Sequence, residues 1–133
     1  MRFNIDQNRE IEINNKHEIF EGSEFENQDF CVYCKPLSQV KISDIRKRHT
    51  TTTRSGPYTD EMAVDHDIFM FTVQRWEGID IVSKDGNVNT DCSNENKDNL
   101  AKMQYGFTGK IVAACIIESQ KLDEQKDEII KNS

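Results

Sequence analysis

The chain has 133 residues, a formal net charge of −7, and 35% hydrophobic against 31% charged side chains. That length suits one ordinary domain with a radius of gyration of roughly 14 Å, which buries about two-thirds of its extended-chain surface without metal or disulfide staples. An acidic total argues against general nucleic-acid binding, which needs a basic face, and no apolar run approaches the ~20 residues that cross a bilayer.

The charge is unevenly spread. Residues 1–34 hold 8 acids against 3 bases, residues 35–58 hold 1 against 6, and residues 59–133 hold 15 against 8. Met1-Arg2-Phe3-Asn4-Ile5-Asp6 is interrupted by polar and acidic residues at once and does not read as a signal peptide. Four cysteines in such a context are expected to stay reduced in a cytoplasm.

Arg2 to Asp6 and Glu10 to Ile13 both alternate, with Phe3, Ile5, Ile11 and Ile13 on one face. This period of two predicts half-buried strands joined in a hairpin by Gln7-Asn8-Arg9. The acidic stretch from Glu18 to Asp29 reads as a solvated loop around Gly22. Phe30-Cys31-Val32-Tyr33-Cys34 predicts a third, more covered strand, which Pro36 ends because it cannot donate to a ladder.

Ser38 is placed to cap a helix with Val40, Ile42 and Ile45 on its apolar stripe. Arg46, Lys47, Arg48 and His49 fall in its last turn, where positive charge complements the helix dipole. Thr50 to Pro57 reads as a loop. From Asp60 the spacing of Val64, Ile68, Phe71/Thr72 and Trp76 predicts a helix, flanked by Met62, Phe69 and Val73 and ended by Gly78 at the left-handed C′ position. Ile79 to Val82 suits a brief strand before the turn dipeptide Asp85-Gly86.

Ser93 caps the next helix, with Glu95 in its first turn and Leu100, Met103 and Tyr105 facing inward. Gly106 is expected to break it, and Phe107, Ile111, Ala114 and Cys115 mark a further helix. The expected fold class is therefore α+β: a small N-terminal antiparallel sheet followed by a bundle of about four helices. Residues 1–120 are expected to form a single domain, β-rich over 1–35 and helical over 36–120. Residues 121–133 form a charged tail, either a helical extension or disordered until something binds.

Candidate chemistry is sparse. Cys31-x-x-Cys34 lies on a predicted strand rather than a knuckle or a helix start, while Cys92 and Cys115 stand alone, so ordinary buried cysteine outweighs a zinc or redox site. Asp65-His66-Asp67 point about 100° apart on a helix and read as a solvated face rather than a metal or acid–base site. His17 and His49 are isolated in polar surroundings. The chain shows no triad order, phosphate loop or dinucleotide fingerprint, so neither an enzyme nor a cofactor is expected. Lys41 to Arg54 is the one basic cluster, either a solvated helix end or a contact for an acidic partner. Trp76 is first a core anchor and second an interface residue.

Taken together, Pro36-Leu37-Ser38, a helix ending in Arg46-Lys47-Arg48, then Trp76-Glu77-Gly78-Ile79, Asp85-Gly86-Asn87 and Cys92-Ser93-Asn94-Glu95-Asn96-Lys97 with Leu100 behind it form a pattern. Over about residues 30–117 it resembles the small tail assembly chaperones of long-tailed bacteriophages. The resemblance implies a non-enzymatic morphogenesis protein in the host cytoplasm that binds the tape measure protein and helps recruit tail tube subunits, with possible self-association. It carries no catalytic residues over. Trp76, Phe69, Phe71, Arg46, Lys47 and Arg48 are interface candidates on physical grounds alone. The competing readings are a structural virion or adaptor subunit retained in the particle, and a small regulator that binds nucleic acid through Lys41 to Arg54.

Overall fold

The structure is a computed structural model that describes residues 10–131, with side chains described through residue 124. The predicted strand over Arg2 to Asp6 and the hairpin turn after it lie outside the described residues. The chain is an α+β fold, built over the described residues from a three-stranded antiparallel sheet, two small hairpins and four α-helices.

The sheet comprises β1 (Ile11–Asn14), β2 (Cys31–Cys34) and β5 (Val73–Glu77) in the order β1-β2-β5. Alternation places Ile11, Ile13, Val32 and Cys34 on the buried face. On the opposite face Arg75 lies over the Tyr33 ring, 3.7 Å from its centroid, and pairs with Glu10 at 3.1 Å.

The third strand corrects the expected helix. α2 (Glu61–Thr72), capped by Asp60, stops four residues short of Trp76, and Val73 is already extended. The register explains how the residues still face inward: Tyr33 pairs with Arg75 but Cys34 pairs with Val73, so Gln74 is an extra residue on β5. This bulge sets Val73 and Trp76, three apart, on the same buried side. β2 has an open edge there, and the β-branched and aromatic run Thr72-Val73-Gln74-Arg75-Trp76 favours pairing with it. Lys35 N–H donates to Thr72 O at the junction (2.9 Å).

α1 (Gln39–Arg48) is capped by Ser38 as expected, though its stripe is reduced: Ile45 is buried, Ile42 half-buried and Val40 71% exposed. The expected loop after it is a hairpin, β3 (Thr50–Thr53) with β4 (Gly56–Thr59). It is tied down where the Thr50 and Thr59 hydroxyls meet at 2.8 Å and where Asp60 N–H donates to His49 O. A second hairpin, β6 (Ile81–Val82) with β7 (Val88–Asn89), turns through Asp85-Gly86, with Gly86 at φ 80°.

α3 (Asn94–Met103) starts at its Ser93 cap, and α4 runs from Tyr105 to Lys131. Gly106 is thus the second residue of α4, and the break falls at Gln104, where the backbone leaves the helical region. Met103, expected inside, is 79% exposed, and Tyr105 is 38% exposed with its hydroxyl donating to Asp65 (3.1 Å). Phe107, Ile111, Ala114 and Cys115 are buried as the spacing predicts. The helix continues through the charged tail as far as Lys131.

α2 packs on α3 and α4, and α4 lies against β1. Lys97 of α3, 7% exposed, donates from Nζ to Met70 O (2.8 Å), placing a cation on the last turn of α2. No described helix is long and apolar enough to cross a membrane.

Candidate protein-binding groove

The acidic segment between β1 and β2 is folded down rather than solvated throughout. A short 3₁₀ turn at Glu18–Phe20 seats Phe20 in the core at 0% exposure. Its ring meets Phe30 edge-on at 5.1 Å and stacks on Phe107 of α4 at 6.2 Å, while Phe25 contacts Phe107 at 5.2 Å. The His17 ring holds this turn in place. Nδ1 accepts from Ile19 N–H, so Nε2 carries the hydrogen donated to Glu118 of α4 (3.1 Å). Burial acts to raise the Glu118 carboxyl, but the hydrogen bonds from His17 and Lys121 outweigh it and leave the carboxyl below its ordinary range.

Beside this aromatic cluster lies a cleft of about 350 Å³. One wall is the acidic loop, with Glu24, Phe25 and Gln28; the helical wall is Leu100, Gln104 and Phe107. The floor and third wall come from the entry to β2 and the exit of β5, with Phe30, Gly78, Ile79 and Asp80. A shallower depression of about 260 Å³ shares Phe30 and Gly78 and adds Asp29 and Glu77 to the rim. Among the described residues, every charged side chain lining the two depressions is an acid. Glu77 has a long contact to Arg75 (3.9 Å), whereas no ion pair is formed by Glu24 or Asp80 among the described residues.

Gly78 makes this geometry possible. Its φ is 75°, and a Cβ at this position would sit 2.3 Å from Asp29 O. The expected left-handed glycine is present, but it ends a strand rather than a helix, and it lets β5 turn against the backbone of Asp29 and Phe30. Beyond it, the Trp76 indole Nε1–H donates to Thr90 O (2.9 Å), which closes residues 76–90 into a loop ahead of α3. Asn96 also donates to Asp91 O (2.9 Å).

The interface candidates from the sequence do not gather into one surface. Phe69 is 0% exposed and Trp76 7%; both are core residues, because α2 is packed against α1, α3 and α4, and the β5 bulge turns Trp76 inward. Phe71 is half-buried, with Lys35 and Lys41 ammonium groups 3.8 and 4.4 Å from its ring centroid. Arg46 is held bidentate by Glu61 (2.9 and 2.7 Å), while Lys47 and Arg48 are exposed. Only Lys47 and Arg48 of the six are well exposed to solvent. The groove residue Phe25 and the core residue Phe20 beside it were not singled out from the sequence; the five-residue spacing of Phe20, Phe25 and Phe30 inside an acidic tract was the available signal.

A second set of titratable groups joins helices to one another. His49 donates from Nε2 to Asp67; His66 lies between Asp67 (3.4 Å) and Asp98 (2.7 Å); Lys102 reaches Asp98 at 2.9 Å. This chain of groups links α1, α2 and α3, so Asp65-His66-Asp67 is a helix-joining surface rather than a merely solvated one. Burial would raise Asp67, but hydrogen bonds from His49 and His66 reverse it and hold the carboxyl low. Cys34 and Cys115 are fully buried beside each other, and the Cys34 thiol is pushed up by its hydrogen bond to Cys115 and by burial. Comparison of the chain with family models, with curated proteins and with solved structures finds no match.

Proposed function

We propose that this protein is a non-enzymatic bacteriophage morphogenesis factor, a tail assembly chaperone that holds the tape measure protein and helps recruit tail tube subunits in the host cytoplasm. One observation supports this reading above the others. Within the stretch carrying the resemblance, about residues 30–117, the segment from Trp76 to Leu100 folds back on itself through the Trp76–Thr90 hydrogen bond, and its Gly78, Ile79, Asp80 and Leu100 wall the groove. A partly apolar, open groove with a polar rim is the form in which a helix of another polypeptide is held. In this reading the His-carboxylate pairs stiffen the scaffold: two of the three histidines place both ring nitrogens against protein partners.

The test is co-expression with the tape measure protein encoded by the same phage. The expected result is a soluble complex of the two, with the tape measure protein insoluble when expressed alone and the small protein missing from purified mature particles. Stoichiometric retention in those particles would favour a structural virion subunit instead. Tape measure protein that is equally soluble with and without this chain would defeat the chaperone reading.

A further inference from the structure

The groove has a chemical preference, and it rests on the groove's being the contact surface of the reading above. Its walls offer the half-buried side chains of Phe25, Ile79 and Leu100 beside the buried rings of Phe30 and Phe107, and its rim offers the carboxylates of Glu24 and Asp80, with Asp29 and Glu77 next to them. Among the described residues, no basic side chain lines either depression. At about 350 Å³ the cleft is near the lower end of the ~300–1,000 Å³ typical of ligand sites, so it suits one or two side chains rather than a large cofactor.

We infer that the groove takes a helical segment of a partner polypeptide that inserts an arginine or lysine next to an apolar side chain. The apolar group and the aliphatic stem of the cation cover Phe25, Ile79 and Leu100, and the cationic head sits between Glu24 and Asp80. Arginine suits the site better than lysine, because its planar guanidinium both stacks on rings and forks to carboxylates. The same arrangement repels acidic segments, which gives the site selectivity as well as attraction.

The inference is tested with two small probes that share a phenyl ring and differ in charge: 2-phenylethylguanidinium and 3-phenylpropionate. Amide shifts of the full chain are followed by ¹H–¹⁵N NMR as each probe is added. The guanidinium is expected to give saturable shifts at Phe25, Phe30, Ile79 and Asp80, at least tenfold weaker in E24Q/D80N and weaker again at high salt, while the propionate gives none. Both replaced residues are exposed, so the double variant should keep the wild-type melting temperature. Equal binding of both probes, absent saturation with the guanidinium, or unchanged binding in E24Q/D80N would each overturn the inference. So would a dimer in sedimentation that this variant abolishes, since the occupant would then be a second copy. If E24Q/D80N still captures the tape measure protein, this inference fails and the chaperone reading stands. If the guanidinium binds but the wild type captures no tape measure protein, the reverse holds.

Discussion

Replacing Gly78 by alanine should be the most damaging single-methyl change in the chain. Two costs combine. The backbone at φ 75° is left-handed, which costs a residue with a Cβ about 1–2 kcal/mol. The added Cβ would also lie 2.3 Å from Asp29 O and 3.1 Å from Phe30 Cα, both backbone atoms that cannot swing aside as a side-chain tip can. Forcing that segment away resembles overpacking a core, about 1–3 kcal/mol more. A total near 3 kcal/mol, with a melting entropy of about 2.1 cal/mol/K per residue, lowers Tm by about 10 °C. Gly86 is the control: its φ is 80°, yet a Cβ there meets nothing within 4 Å. Gly86→Ala should therefore cost only the backbone part, about 5 °C by the same conversion. Asparagine separates the two costs, because it tolerates the left-handed region but still carries a Cβ. Gly86→Asn should be nearly harmless and Gly78→Asn should stay damaging, both read by thermal and urea melts followed by circular dichroism. Equal losses for the two alanine variants, or a harmless Gly78→Asn, would refute the argument from close approach.

Trp76→Phe keeps an aromatic ring but deletes the N–H that reaches Thr90 O, and should cost about 1–2 kcal/mol in urea unfolding, more than a conservative ring exchange with no bond lost. Asp67→Asn should reduce stability at neutral pH and flatten the acid limb of the stability curve. The Asp67 carboxyl is lower in the folded chain than its ordinary value of 3.8, so its contribution is full above that pH and disappears as pH falls through the folded value. The gap between wild type and Asp67→Asn should accordingly narrow progressively as pH falls below about 4; a gap that stays constant along the acid limb would contradict the assignment. Iodoacetamide should label Cys31 and Cys92 slowly in the native protein, since both are half-buried and burial pushes both thiols up. Cys34 and Cys115, each 0% exposed, should react only on unfolding, and four labels under native conditions would show that the core opens.

What could be read from the sequence was local chemistry. The Ser38 and Ser93 caps, the Asp85-Gly86 turn and the strand at Cys31–Cys34 each depend on neighbours in the chain, and each is present. β5 was hidden by its own bulge. Val73 and Trp76 repeat at three residues, a helical spacing, because Gln74 is looped out of the register and not because the backbone is helical. The hairpin at Thr50–Thr59 was hidden for another reason: four threonines in succession show no alternation, and Gly56-Pro57 reads as a break although Pro57 pairs with Thr52. The histidine pairings could not be inferred at all. His17 and Glu118 are 101 residues apart, His66 and Asp98 are 32 apart, and only the packing of the Glu18–Phe20 turn on α4 and of α2 on α3 brings such groups together. The groove shares that origin, since its three walls come from residues 24–30, 78–80 and 100–107.

Gly78 belongs to the stability of the fold and to the shape of the groove at once, which separates two kinds of loss. Its left-handed turn carries the chain from Trp76, fixed in the core, to Ile79 and Asp80 on the groove wall, and does so by pressing against Asp29 and Phe30 on the same groove. A variant at Gly78 should therefore lose stability and probe binding in parallel, because moving the Asp29–Phe30 backbone alters the floor as well as the sheet. Glu24 and Asp80 contribute carboxylates to the rim from exposed positions, and their replacement should remove binding while leaving the melt unchanged. Observing the first pattern at Gly78 and the second at Glu24 and Asp80 would locate the cation preference in the rim. If Glu24→Gln and Asp80→Asn instead lowered Tm as Gly78→Ala does, the acidic rim would be part of what holds the loop down, and charge selection would not be its role.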